Sequence, residues 1–184
     1  MNDDDQSLDD KTISAPTYAS FSKRVAAALI DVGVLIPLLL LSYYNMFAVK
    51  SYALAVFASL SFALYQPLME TRFQATVGKM VIRIKVLTED LEQADWATIF
   101  VRNSLYLISA GLSLSSLWFV YQEPDFIAVD SWASFSSFVA NQEENLLEGT
   151  FTWITFFSCW MVAFSRKRQA LHDKMAKTVV VEAN

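Results

Sequence analysis

Asp31 lies inside "VAAALIDVGVLIPLLLLSYY", Val25 to Tyr44, an apolar run that is otherwise free of charge. About a third of the way into a membrane span, an ionised carboxylate costs on the order of 2.5 to 3.5 kcal/mol on insertion scales. Such a group must face other helices, find a cation or hold a proton. Arg24 precedes it by seven residues, two helical turns and roughly 10 Å along the same face. Arg102 falls about two turns into a helix that Asp95 is placed to cap. His172 and Asp173 follow the last apolar run of the chain by about two turns. These spacings predict that Asp31 pairs with Arg102 and Arg24 with Asp173, while Glu70, ending the second apolar run, joins from the side. Two kinds of chemistry fit such a cluster. An intramembrane acid marks a cation or proton pathway, whereas arginine–carboxylate pairs at helix ends also serve to fix which helices touch and in which register. Pro37 releases a backbone carbonyl at membrane depth, and a carbonyl beside a carboxylate suits a small hard cation. Asp31 is therefore the candidate ligand for Na⁺.

Other chemistry is excluded by composition and spacing. Lys79 stands in "ATVGKM", which lacks the upstream glycine of a phosphate-binding loop and reads as a turn leaving the second apolar run. One histidine and one cysteine, Cys159 inside the fourth run, cannot assemble a zinc site. There is no nucleophile elbow and no paired-histidine helix, so neither an enzyme nor a cofactor is expected. Nothing points to nucleic acid. Arg166, Lys167 and Arg168 could meet anionic lipid headgroups, although basic residues flanking a span usually reflect topology alone.

The elements that must position these groups are membrane spans. Of 184 residues, 54% are hydrophobic and 18% charged, and mean hydropathy is +0.33. Spans are expected at about 25–44, 51–69, 98–121 and 149–165. Lysine and arginine fall almost entirely on one side of such an arrangement, with only Lys50 on the other. This bias predicts that both termini are cytoplasmic. The fold class is then an all-α membrane protein, a four-transmembrane-helix bundle. Residues 1–17 read as an acidic, disordered cytoplasmic tail without the features of a signal peptide, and residues 18–184 as the membrane domain. In the inner loop, "VIRIKVL" alternates with a strand's period of two, and "TVVVE" near the C-terminus is a second β-branched run on the same side. The two are expected to pair as a small cytoplasmic β-ribbon, the alternative being irregular or interfacial chain. The outer loop, 122–148, has no lysine or arginine. Within it, "SWASFSSFVANQ" has helical spacing and is read as a short helix, either on the outer leaflet or across the mouth of the bundle.

"RVAAALIDVGVL", "QATVGKMVIRIKVL" and "SRKRQALHDKMAKTVVV" together resemble the RDD family of small membrane proteins. The family takes its name from one arginine and two aspartates, which fall here on Arg24, Asp31 and Asp173. The resemblance covers about Tyr18 to Val181. Two places depart from the family pattern: Val77 stands where proline is common, and Lys177 where glycine is. The first departure should loosen the turn slightly, and the second implies a backbone at Lys177 with no need of a positive φ. The outer loop is also long for the family. Cation/proton exchange has been proposed for some members, so the resemblance raises an Na⁺/H⁺-like exchanger as the leading expectation. Asp31 would carry the proton or cation, Asp173 would serve the entrance, and Arg24 and Arg102 would set the charge balance. Expected partners are membrane lipids, a small cation, a proton and further copies of the chain, in a bacterial cytoplasmic (inner) membrane. The rival expectation is a non-transporting assembly or regulatory subunit in which the same cluster is structural.

Overall fold

A computed structural model describes residues 16–140, 153, 165 and 168–183 of the chain. Three helices among them are long and apolar enough to cross a membrane. Helix α1 spans Phe21–Tyr44, its first turn closed by the Ser20 hydroxyl, which accepts from the Lys23 amide. A π-helical turn, Asn45–Val49, prolongs it. Helix α2 spans Tyr52–Phe73, and α4 spans Trp96–Gln122 behind the Asp95 cap, whose carboxylate accepts from the Thr98 amide at 2.8 Å. The fourth expected span, 149–165, lies outside the described residues apart from Trp153 and Ser165.

Two short elements connect these helices on one end. Helix α3, Val77–Val81, follows α2, with Thr76 as its N-cap. Strand β1, Ile84–Thr88, pairs antiparallel with β2, Thr178–Glu182, in the register Ile84 to Glu182 and Thr88 to Thr178. The period-two pattern places its side chains as expected: Ile84 and Val86 are buried and Lys85 is exposed. The chain before α1 extends the ribbon, since Ala19 donates to the Val180 carbonyl and Glu182 to that of Thr17. Both outer edges are thus occupied locally, with Leu87 bridging Gln93 on the β1 side. Helix α6, Leu171–Met175, leads into β2.

At the other end, α5, Trp132–Ala140, follows a 3₁₀ turn at Pro124–Ala128. Phe126, Val129 and Phe138 form a cluster with Met46, Phe47, Val120, Tyr121 and Phe135. The helix therefore packs across the ends of α1 and α4. Asn45 is buried there, donating to Tyr121 Oη at 2.9 Å and accepting from the Ser51 amide at 2.9 Å, which sets the α1–α2 turn.

Buried apolar surface is concentrated at the ribbon end. Ala19, Ala27, Ile84, Val86, Ala94, Ile99 and Val180 form its main cluster, and Leu87, Val179 and Val181 a second. In the most apolar windows of the three long helices, only 6%, 22% and 0% of residues are buried within the protein. Their remaining apolar surface suits hydrocarbon, not water. Gln74 ties α2 to this core: in the left-handed conformation (φ 57°), it exchanges side-chain hydrogen bonds with both backbone groups of Ala94 and accepts from the Val86 amide.

One expectation is overturned here. Lys177 has φ 50°, so the position where glycine is common does require the left-handed region. The turn from α6 into β2 imposes it: the Lys177 amide donates back to Lys174, while its carbonyl accepts from Glu89 across the ribbon. A lysine here bears a Cβ–carbonyl clash of about 1 kcal/mol that glycine avoids. Lys177→Gly is expected to raise stability by up to that amount, read as a higher thermal unfolding midpoint in detergent. Gly78 is the opposite case. An added Cβ would overlap the Ala27 carbonyl oxygen and lie 3.0 Å from Asp31 Cγ, so Gly78→Ala should destabilise by roughly 1 to 3 kcal/mol in the same assay.

Candidate functional site

Six elements meet beneath the ribbon and bring the charged residues together. Asp173 sits at the third position of α6, fully buried, and its Oδ2 accepts from the Ala170 amide at 3.0 Å. That bond closes the helix's first turn and points the carboxylate at two arginines. Arg24 Nη1, from α1, donates to Oδ2 at 2.7 Å, and Arg102 Nη1, from α4, donates to Oδ1. Arg24 also donates to the Arg168 carbonyl at 2.6 Å, and Arg102 to Thr178 Oγ1 on β2 at 2.8 Å. One acid thereby joins the start of α1, the start of α4, α6 and the ribbon.

A second buried acid extends the network. Glu70, near the end of α2, pairs with Arg102 Nε at 3.2 Å and accepts from the Lys79 ammonium. Gln66, one turn earlier, and Asn103, next to Arg102, donate to its two oxygens at 3.2 and 3.3 Å. Arg102, only 3% exposed, thus lies between two carboxylates that are both 0% exposed. Breaking such a pair costs far more than forming it gains, because the remaining charge stays buried.

Asp31 is not part of this network, and the expected Asp31–Arg102 pair does not form. Its Oδ1 accepts from Tyr65 Oη and from the Gly78 amide, both at 2.7 Å, and its Oδ2 accepts from Thr76 Oγ1 at 2.6 Å. Among the described residues no cation lies within ion-pair distance of it. The cause is α3. With no side chain at Gly78, that short helix presses directly onto the Ala27 backbone of α1 and brings Thr76 and an amide to Asp31. Arg102, already held by Glu70 and Asp173, has no reason to reach it.

A cavity of about 240 Å³ connects the two groups of residues. Asp31, Thr76 and Gln66 line it together with Lys79, Arg102, His172 and Arg24. Neither Pro37 nor Gly33, whose carbonyl the proline leaves without its helical donor, is among its lining residues, so the proposed carbonyl ligand is absent from its wall. Among the described residues no cluster of three or more His, Cys, Asp or Glu could hold a metal ion. Any cation here would rest on Asp31, hydroxyl and amide oxygens, and water.

His172 lies on this wall with Nε2 3.4 Å from Asp173 Oδ1. Burial, and then the positive charge of Arg102, push its pKa down to about 4 despite the neighbouring acid. Burial resists ionisation of Asp173, but Arg102, His172 and Arg24 outweigh it and hold the carboxyl well below the usual carboxylate range. The site therefore contains a neutral imidazole and an ionised Asp173 at neutral pH.

Tyr65, Gln66, Thr76, Gly78, Asn103 and Thr178 are partners that sequence reasoning did not single out. The sequence held a signal for three of them: Gln66 stands four residues before Glu70, Asn103 adjoins Arg102, and Thr76 has N-cap character ahead of a short helix. Tyr65 and Thr178 carried none.

The RDD family model matches residues 18–177, from the strand-like segment before α1 to the end of the α6 turn. No curated protein and no solved structure matches the chain.

The depressed pKa of His172 couples folding to pH. The unfolded imidazole titrates near 6.5, so between pH 6.5 and 4 the unfolded chain binds more protons than the folded one. Stability from this group is complete above pH 6.5 and declines as the pH falls towards 4. Asp173, whose folded pKa is depressed, weakens the fold only below about pH 4. The unfolding midpoint should fall by on the order of 5 °C from pH 7 to 4.5. His172→Gln should flatten the curve in that window and leave the loss below pH 4 intact.

Proposed function

The chain belongs to the RDD family, and from that premise we propose that this membrane protein exchanges a small cation such as Na⁺ for protons, with Asp31 as the carrier. The observation that carries this reading is the environment of Asp31. It is the one acid of the cluster that is held by neutral donors and also lines the cavity. Glu70 and Asp173 are compensated by Lys79, Arg102 and Arg24.

Hydrogen-bond chemistry supports reversible protonation at one atom. The Gly78 amide can only donate, so Oδ1 must remain an acceptor. Thr76 Oγ1, 2.6 Å from Oδ2, can rotate its hydroxyl and accept instead. A proton on Oδ2 would donate to Thr76 while the other two bonds persist. Charge balance supports exchange between two occupants. Arg24, Lys79 and Arg102 carry three positive charges, and Asp31, Glu70 and Asp173 three negative ones, so the ionised site is neutral. A proton or a monovalent cation at Asp31 makes it +1, and both together make it +2 within a poorly solvated region. Their mutual exclusion follows from that cost.

The lysine and arginine bias supports placing the ribbon end in the cytoplasm. Arg24, Lys79 and His172 line the cavity, and on this reading Asp173 would order its entrance by fixing Arg24. With three described spans forming a thin wall, a pathway through the bilayer favours assembly of several copies.

A second reading has its own observation. In the Glu70–Arg102–Asp173 core both acids are inaccessible, as they would be in a purely structural latch for an assembly or regulatory subunit. Flux separates the two. Purified protein in liposomes with a trapped pH dye should move protons when a Na⁺ gradient is imposed. Asp31→Asn keeps an acceptor for Gly78 and gains a donor to Thr76, so it should remain folded and be silent. Wild-type liposomes that match empty ones would leave the latch reading standing, and an Asp31→Asn variant as active as wild type would remove Asp31 from the mechanism.

A further inference from the structure

Helix α2 ends at Phe73. Its 22 residues extend about 33 Å, the thickness of a hydrocarbon core, so its last turn falls at headgroup depth. Immediately beyond it is an open cleft of about 450 Å³, whose lining residues include Phe73, Met80, Arg83 and Lys85. Phe73 is 55% exposed and Met80 40%, which gives the cleft an apolar wall. Lys85 stands on the outward face of β1, between inward Ile84 and Val86. Arg83, itself left-handed at φ 58°, immediately precedes the strand and joins Lys85 in lining the cleft.

These two cations differ from the central ones. Arg24, Lys79 and Arg102 are held by Glu70 and Asp173, whereas among the described residues no acid lines the cleft and no carboxylate pairs with Arg83 or Lys85. Glu182, opposite Ile84 in the ladder, is bound to Lys23 at 2.7 Å instead. Topology alone asks for positive charge on this side of the membrane. It does not ask for two cations that share the lining of one cleft with exposed apolar residues.

We propose that this cleft is a binding site for the headgroup of an anionic phospholipid. The phosphate is taken by the Arg83 guanidinium and the Lys85 ammonium, in keeping with the affinity of both groups for phosphate oxygens. Phe73 and Met80 lie against the glycerol and the first acyl carbons, and exposed Arg72 beside them adds to the local field. The assignment is independent of transport, because none of these residues borders the Asp31 cavity.

The test is native mass spectrometry of the full chain released from detergent, with phosphatidylglycerol, phosphatidylcholine or inorganic phosphate added. Wild type should retain phosphatidylglycerol roughly tenfold better than phosphatidylcholine. The double variant Arg83→Gln/Lys85→Gln should retain the two equally at an unchanged unfolding midpoint. No preference in wild type, or a preference that survives in the variant, overturns the proposal. So does displacement of the lipid by millimolar inorganic phosphate, which would mark a site for the free anion. Should the double variant not fold, Phe73→Ser decides. Selective loss of long-chain over short-chain phosphatidylglycerol supports the lipid site, and unchanged retention of both rejects it.

Discussion

The fold at the ribbon end depends on one buried negative charge. Asp173 is inaccessible to solvent, and an isolated carboxylate there would be intolerable. Arg24 and Arg102 neutralise it from positions 149 and 71 residues away in sequence. Neither arginine can do so unless α1, α4 and α6 converge. Because Arg102 also binds Thr178 and Glu70, the same convergence places β2 and the end of α2. The ribbon then packs over this end with Ile84, Val86 and Val180, which share one face. Ion pairs of this kind seldom add net stability over a well-packed apolar core. They make the wrong arrangements costly, and that is what fixes the register of helices whose outer faces are uniformly apolar.

Asp31 illustrates the opposite solution to the same difficulty. Its charge is met by a hydroxyl pair and one amide, partners that stabilise an anion without being ions. The arrangement requires α3 to lie against α1, and Gly78 is what permits the approach. Two carboxylates are therefore locked by fixed positive charge, while the third rests on dipoles that can partly reorient. The distinction gives three acids in one small volume different capacities for a proton.

How much of this could be read from the chain follows from the range of each interaction. The long helices were legible because uninterrupted apolar runs of span length have few other uses, and the Asp95 cap and the β-ribbon because capping and period-two alternation are local. Helix α5 was likewise legible from the spacing of its aromatic residues. The Arg24–Asp173 contact was within reach because both groups are charged and lie at the same depth. Depth, however, was all the sequence offered for Asp31 and Arg102. Which way each faces, and that α3 intrudes between α1 and the rest, depend on a five-residue helix whose insertion rests on a missing side chain. The left-handed turn at Lys177 was hidden for another reason: lysine bears the strain there, so the residue type no longer reports the backbone. The chain has only four glycines, and its six described residues with positive φ are all of other types.

The uneven burial of the molecule sets a limit on where precise geometry can reside. In the most apolar stretches of α1 and α4 almost nothing is enclosed by protein, and apolar surface in hydrocarbon gains little from choosing one neighbour over another. Directional information in the described chain is therefore concentrated at the two ends. The far end uses it for an aromatic lid and the Asn45 turn, neither of which buries a carboxylate or a basic side chain among the described residues. At the ribbon end it holds three acids, three cations and a cavity to within hydrogen-bonding tolerance. Precision of this order at a membrane boundary, on helices whose outer faces are uniformly apolar, sets the ribbon end apart as the place in the described chain where charged groups are held in fixed geometry.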